Sequence, residues 1–242
     1  MPEATAKHEI LDELCRSGVR FHGGSGDALM NWQLGADALA LLLDSVRPGD
    51  RTLETGCGYS TVAFALAGAN HTVVSPAQRE HERIREWCAA HGVSTRAVTF
   101  VVGHYEDCLP NLGDGPLDFA LIDGADAFPI PFLDWYYAAA RLRTGGLVMV
   151  DDTHLLTGEI LRDFLASESS RWRRVRELPT TAVFERLGSD LIPHQDWCGQ
   201  PYCARPGRLP PGAPLRARLR HRIRLRTRLR ALAGRAGRQR PR

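Results

Sequence analysis

"LETGCGYST", residues 53–61, decides how the whole chain is read. The run "RTLET" (51–55) has the apolar and β-branched content of a short strand, and the residues from about Ser60 to Ala69 have that of a helix. A glycine turn joining the two is where a parallel α/β sheet holds part of a nucleotide. A phosphate-cradling loop would close on Gly-Lys-Ser/Thr, and this turn contains no lysine. A dinucleotide fingerprint would put a third glycine where Thr61 stands, and an acid about twenty residues on, where the chain has Ser75. Glu54, next to the turn, would also repel a pyrophosphate.

Outward from this turn, short apolar runs alternate with helical periods. Ile10, Leu11 and Leu14 mark a helix stopped by Gly18; "FHGGSGDALMN" (21–31) reads as loop, with 22–31 a lid or a linker; "WQLGADALALLLDSV" (32–46) reads as a second helix ended by Pro48-Gly49. Further strands are expected at "HTVVS" (71–75), "AVTFVV" (97–102), "LDFALID" (117–123) and "GGLVMVDD" (145–152), with helices over 77–91, 130–142 and 157–168. "RWRRVREL" (171–178) and "TAVFERL" (181–187) would close the sheet as an antiparallel hairpin. The expected fold is α/β: a doubly wound, mostly parallel, seven-stranded Rossmann-like sheet with N-terminal helices. Ligands bind such sheets at the carboxyl ends of the strands, which selects Glu54 to Thr61, Ser75, Gly103 to Glu106, Asp123 to Phe128 and Asp151 to His154.

A ligand with positive charge and no phosphate suits this turn. S-adenosylmethionine has an ammonium and a sulfonium, for which Glu54 is an asset. The stretch "LETGCGYST" resembles the first motif, E-x-G-x-G, of class I S-adenosylmethionine-dependent methyltransferases. The resemblance runs over roughly residues 30 to 187, because the strand order, "LIDGAD" (121–126), "LRTGGLVMVDD" (142–152) and the closing hairpin fall where that family has them. It implies that Glu54 and the backbone of Gly56 and Gly58 lie near the methionine part of the cofactor, with Ser60 and Thr61 opening the helix beside it. By the strand-end rule Ser75, His104, Tyr105 and Asp123 join the cofactor residues. The family ends its second strand with an acid that binds the ribose hydroxyls; here Ser75 stands there, so either another residue such as Glu80 compensates or cofactor affinity is reduced.

Asp123 after the fourth strand and Asp151 with Asp152 after the fifth would converge on one rim and repel one another unless a proton or cation intervenes. The pattern resembles small metal-dependent O-methyltransferases, including catechol O-methyltransferase and the cephalosporin-hydroxylase-like group. Carried over, Asp123, Asp151 and Asp152 are the oxygen ligands of Mg²⁺, which would acidify an acceptor hydroxyl. The lysine base of catechol O-methyltransferases has no counterpart, since Lys7 is far from the motif in sequence; His154 in "DDTH" is the expected base, with Asp151 the other catalytic residue. The alternative for this stretch is that Asp152 or Thr153 caps the next helix. Phe128, Trp135 and Tyr136 would either wall an acceptor pocket or pack in the core.

Composition sets the remaining bounds. The 242 residues, 43% hydrophobic and 24% charged, suit one sizeable domain with a tail. No apolar run is long enough for a membrane span and the N-terminus lacks a signal-peptide core, so the expected location is cytoplasmic. Six cysteines without a C-x-x-C suit free thiols, and His194, Cys198 and Cys203 fall one ligand short of a structural zinc site. From Arg205 onward there are 14 arginines and no acid, which leaves 17 basic and 28 acidic side chains, a balance of −11, in the preceding residues. The domains expected are 1–48, N-terminal helices; 49–188, cofactor-binding; 189–214, linker; and 215–242, an Arg-rich disordered tail. The function expected is methyl transfer to a small-molecule acceptor, with metal-independent transfer or a non-catalytic cofactor- or nucleic-acid-binding role as alternatives. The tail would meet nucleic acid or an anionic membrane surface, and a homo-oligomer is a further expectation.

Overall fold

Residues 51–55 do form a strand, β1 (Arg51–Thr55), at the middle of a seven-stranded sheet. The structure, a computed structural model, describes residues 2–23, 32–113, 115–188 and 200–204. β1 pairs in parallel with β2 (Asn70–Ser75) on one side and β4 (Leu117–Ile122) on the other. β3 (Val98–Val102) extends the sheet beyond β2, and β5 (Leu142–Val150) lies beside β4. β7 (Ala182–Arg186) runs antiparallel to β5 and carries β6 (Trp172–Glu177) at the edge, so the order is β3-β2-β1-β4-β5-β7-β6. This is the doubly wound, mostly parallel sheet that the alternation of strand and helix periods implies.

Three helices, α1 (Pro2–Ser17), α2 (Ala36–Ser45) and α3 (Tyr59–Ala67), pack together and against the sheet. Their apolar faces form one core in which Leu14, Leu39, Leu42 and Phe64 meet Val73, Phe119 and Leu121 of the strands. Burying a side chain such as Phe64 contributes roughly 2–3 kcal/mol, and the Phe64 ring also stacks on His71 and meets Phe119 edge-on. α4 (Gln78–Ala90) follows β2. α5 (Tyr105–Cys108), a 3₁₀ turn (Leu109–Asn111), α6 (Ile130–Arg141) and α7 (Leu156–Ser167) pack on one another and on β4 and β5. There Trp135 is buried against Phe164 and Trp172, which makes it core rather than pocket wall.

The differences from the sequence expectation lie at element ends. α2 begins at Ala36 behind Gly35, four residues after Trp32, which is 68% exposed. β5 begins at Leu142 because Leu117 of β4 pairs with it, so α6 passes into the strand without a loop. α5 and the 3₁₀ turn are too short for their periodicity to show.

The chain divides into two units, Met1–Leu191 and Ile192–Arg242. In the second, within the stretch expected as linker, the structure describes a short helix α8 (Pro201–Ala204). His194, Cys198, the arginine tail 215–242 and residues 24–31 of the expected lid lie outside the described residues. Cys15, Cys57, Cys88, Cys108 and Cys203 are free thiols. Among the described residues no helix is long and apolar enough to cross a membrane.

Candidate active site

β1 and β4 are neighbours, yet from β1 the chain crosses to β2 and from β4 to β5, on the opposite side. The two loops therefore part at their carboxyl ends and leave a crevice there. Gly56 stands on one side with φ +87, and a Cβ on it would lie 2.0 Å from the carbonyl oxygen of Asp123 on the other. Both the left-handed backbone and the close approach require glycine. The Asp123 N–H also donates to the Thr55 carbonyl at 3.2 Å, so the glycine turn and the start of the "DGAD" loop share one wall.

Glu54 faces inward, toward α3, and its side chain has no exposed surface. Its carboxylate accepts hydrogen bonds from Ser60 Oγ at 2.5 Å and from Thr61 Oγ1 at 3.1 Å. His71 Nε2 lies 2.9 Å from the same group, and His71 Nδ1 lies 2.8 Å from Thr52 Oγ1. With Nε2–H donating to Glu54, Nδ1 is left to accept the Thr52 hydroxyl. Thr61 Oγ1 in turn accepts the Gly58 N–H at 3.0 Å. Glu54, which the resemblance puts near the methionine part of the cofactor, sits under the turn with its oxygens satisfied by the chain itself; strand alternation turns it to the α3 side. Sequence reasoning missed His71. The signal was a histidine opposite Thr52 in a strand otherwise reading as buried.

β4 and β5 end in register, Ile122 opposite Val150, and the Asp151 N–H donates to the Ile122 carbonyl at 3.0 Å. This brings Asp123, Asp151 and Asp152 together, with one carboxylate oxygen of each within 4.8 Å of the others. Desolvation first, and then the charges of Asp151, Glu54, Asp152 and Asp126, hold the Asp123 carboxyl well above the usual range. Burial raises Asp151 to about 6, with Asp152 adding to the rise and a 2.5 Å hydrogen bond from Thr181 Oγ1 opposing it. A cavity of about 10 Å³ opens among Asp123, Asp126, Asp151 and Asp152, about the room that one water or one small ion takes. Asp152 adopts φ +50, and α7 starts behind Leu155 with no side-chain cap, so neither Asp152 nor Thr153 caps it. His154 is exposed beside the trio, its Nδ1 3.6 Å from Asp152 Oδ1.

The other expected residues divide. Tyr105 is buried at the start of α5, beside Gly124 of the loop after β4, where burial and then its acidic neighbours Asp134, Cys57, Asp123 and Glu80 raise its hydroxyl's pKa. His104 is exposed one residue earlier. Ser75 is buried and its Oγ accepts the Ala77 N–H at 3.4 Å. Glu80 reaches the turn from α4: Cys57 Sγ donates to it at 3.4 Å, and His22 Nδ1 lies 3.4 Å away. Burial raises its pKa, but His22, Cys57 and the Gly23 N–H outweigh this and hold Glu80 below the usual range. Beside it, a cavity of about 560 Å³ is lined by Gly23, Ala77, Gln78, Arg79, Glu80, Glu82 and Arg83. On the rim, Phe128 is 78% and Leu156 70% exposed, and Thr157 Oγ1 ties the start of α7 to the loop after β4 by donating to the Asp126 carbonyl at 2.8 Å.

Residues 53–153, from the glycine turn through the acid trio, match the model of a family described as a methyltransferase domain. A catechol O-methyltransferase of Mycobacterium tuberculosis is 33% identical over 147 residues, covering 58% of this chain and 64% of that protein. The O-methyltransferase TomG from Streptomyces achromogenes, involved in tomaymycin synthesis and solved in complex with SAM, superposes with a TM-score of 0.56 at 21% identity, over 75% of this chain and 90% of that one. An O-methyltransferase from Bacillus cereus in complex with SAH superposes with a TM-score of 0.55 at 15% identity, over 76% and 91%. At these identities the two structures show a shared fold.

Proposed function

We propose that the chain is a class I S-adenosylmethionine-dependent methyltransferase, as the family match over residues 53–153 and the M. tuberculosis relative support, and that it transfers the cofactor's methyl group to a hydroxyl oxygen of a small-molecule acceptor with the help of a divalent cation, Mg²⁺. The observation that carries the proposal is the shared wall: the glycine turn at Gly56 abuts Asp123, and Asp123 belongs to the acid trio. A methyl donor on the turn and an oxygen at the trio would thus be neighbours, as in-line transfer requires. The names of the M. tuberculosis relative and of the two O-methyltransferase structures support oxygen as the acceptor atom.

The donor set fits the metal. Three carboxylates lie within 4.8 Å of one another, two of them with raised pKa, and the charges that act on Asp123 are those of other carboxylates; hard oxygen ligands of this kind suit Mg²⁺. When bound, the ion would lower the pKa of the acceptor hydroxyl and fix its oxygen. Asp123, Asp151 and Asp152 would hold it, with Thr181 orienting Asp151 by its hydrogen bond. His154, with Nδ1 turned to Asp152, keeps Nε2 to receive the acceptor's proton. Phe128 and Leu156, in the segments that follow Asp123 and Asp152, offer exposed apolar surface, which favours an uncharged acceptor with an apolar body. Glu54, Ser60, Thr61 and His71 act from beneath by fixing the turn. Glu80, hydrogen-bonded to Cys57 of the turn, and Tyr105 are assigned to the rest of the cofactor.

Titration calorimetry with S-adenosylmethionine, with and without Mg²⁺ and with NAD as control, tests this. Micromolar binding of S-adenosylmethionine alone among the nucleotides is expected, and absence of heat would overturn the proposal. Deleting residues 205–242 should leave that binding unchanged.

A further inference from the structure

Behind the rim lies a carboxyl that methyl transfer does not use. Asp134, in the middle of α6, has no exposed surface, and neither of its oxygens has a hydrogen-bond partner. Thr55 Oγ1, on the last residue of β1, is buried in the same condition. The carboxyl presses on the loop after β4: a Cβ on Gly124 would stand 2.8 Å from Asp134 Oδ2 and 3.0 Å from Tyr105 Cζ. These neighbours are the foundations of the site. Thr55 precedes Gly56 and its carbonyl accepts the Asp123 N–H, while Gly124 follows Asp123. The titratable groups that act on Asp134 or respond to it, Glu106 and Tyr105, both belong to α5.

A buried carboxylate without a partner is among the costliest groups a protein can hold. The neutral acid is different, since it has an O–H to give and the Thr55 hydroxyl can both accept and donate. We propose that Asp134 is a positioning residue that works as the neutral carboxylic acid: its proton is shared with Thr55 Oγ1, and its side chain holds Gly124 and Tyr105 at the spacing that the glycine turn and Asp123 require. No proton moves to or from substrate. Burial, and after it the charge of Glu106, raise Asp134 from 3.8 to about 7, with the facing Thr55 hydroxyl opposing. The native state therefore keeps a proton that the unfolded chain has released, and the stability this brings is full in acid and is lost as pH rises through about 7.

The inference rests on the proposed cofactor only for one arm of its test. The full chain is compared with Asp134→Asn, a neutral isostere, and Asp134→Ala. Thermal melts between pH 5.5 and 8.5 should show the wild type losing Tm with rising pH and Asp134→Asn losing markedly less. In calorimetry at pH 6.5, Asp134→Asn should bind S-adenosylmethionine within about threefold of wild type, and Asp134→Ala about tenfold more weakly, because Thr55 then faces a void. Equal pH slopes for wild type and Asp134→Asn would overturn the proposal. So would an Asn variant as weak as Ala, which would mean that the charge is needed, or an Ala variant as tight as wild type. Should the wild type itself not bind S-adenosylmethionine, the proposed function fails, and the melts still decide the role of Asp134.

Discussion

At the end of β1, Glu54 is met by two hydroxyls and an imidazole; one strand away, Asp123, Asp151 and Asp152 meet chiefly one another. Both groups are acidic, both end strands of one parallel sheet, and Gly56 brings their backbones into contact. The difference is in what completes them. The polar groups under the turn are satisfied by the fold, which makes that region a fixed floor. Those of the rim are left short of positive charge, which is a standing cost to the folded state unless a cation supplies the rest. A region that pays for its polar atoms internally is structural in its effect, and one that does not is a place for a ligand.

Breaking the floor should have the largest effect. Glu54→Ala strands His71, Ser60 and Thr61 without their acceptor and should cost about 4 kcal/mol of stability, measured by urea unfolding. A loss below about 1 kcal/mol would erase the contrast. Next comes the pH dependence of the rim. Asp151 is raised from 3.8 to about 6, so its contribution to stability is full below about pH 4 and disappears as pH rises through 6. The difference is about 3 kcal/mol at most. Melts at acid and neutral pH should show this loss in metal-free protein, less of it in Asp151→Asn, and its reversal by saturating Mg²⁺. If Mg²⁺ has no effect on the neutral-pH melt, the rim holds no metal.

Asp152→Asn tolerates the positive φ of that position while removing a charge. It should lower the magnesium-dependent methylation rate on the order of a hundredfold, with the Kd for S-adenosylmethionine unchanged. An unchanged rate would take Asp152 out of the metal site. The smallest effect is expected from a pair remote from the site. Arg143 and Asp118 form an ion pair at 2.5 Å on partly exposed surface, and Arg143→Ala should cost less than about 1 kcal/mol in the same unfolding assay. A larger loss would show that compensated charge outside the floor also matters.

Much of this was legible beforehand because it is local. The strand and helix periods, the glycines at 56 and 58 and the acids after the fourth and fifth strands are read within windows of a few residues, and a parallel sheet fixes where strand ends meet. What was not legible depends on side-chain direction and on partners far apart in the chain. Glu54 stands out in sequence beside the turn, but that its carboxylate turns down to His71 follows from β1 and β2 lying side by side. Thr181, thirty residues from Asp151, orients it only because β7 returns beside β5. Asp134 reads in sequence as one polar residue in an aromatic helix; only packing against Thr55 and Gly124 makes it a buried acid. The sequence by itself determined the sheet, the glycine turn and the acids of the rim, since these rest on periodicity and on residue type at strand ends. The tertiary structure alone decided which acids are satisfied and which are left in need of a cation or a proton, because burial and hydrogen bonding are properties of what surrounds a side chain and not of the residue itself.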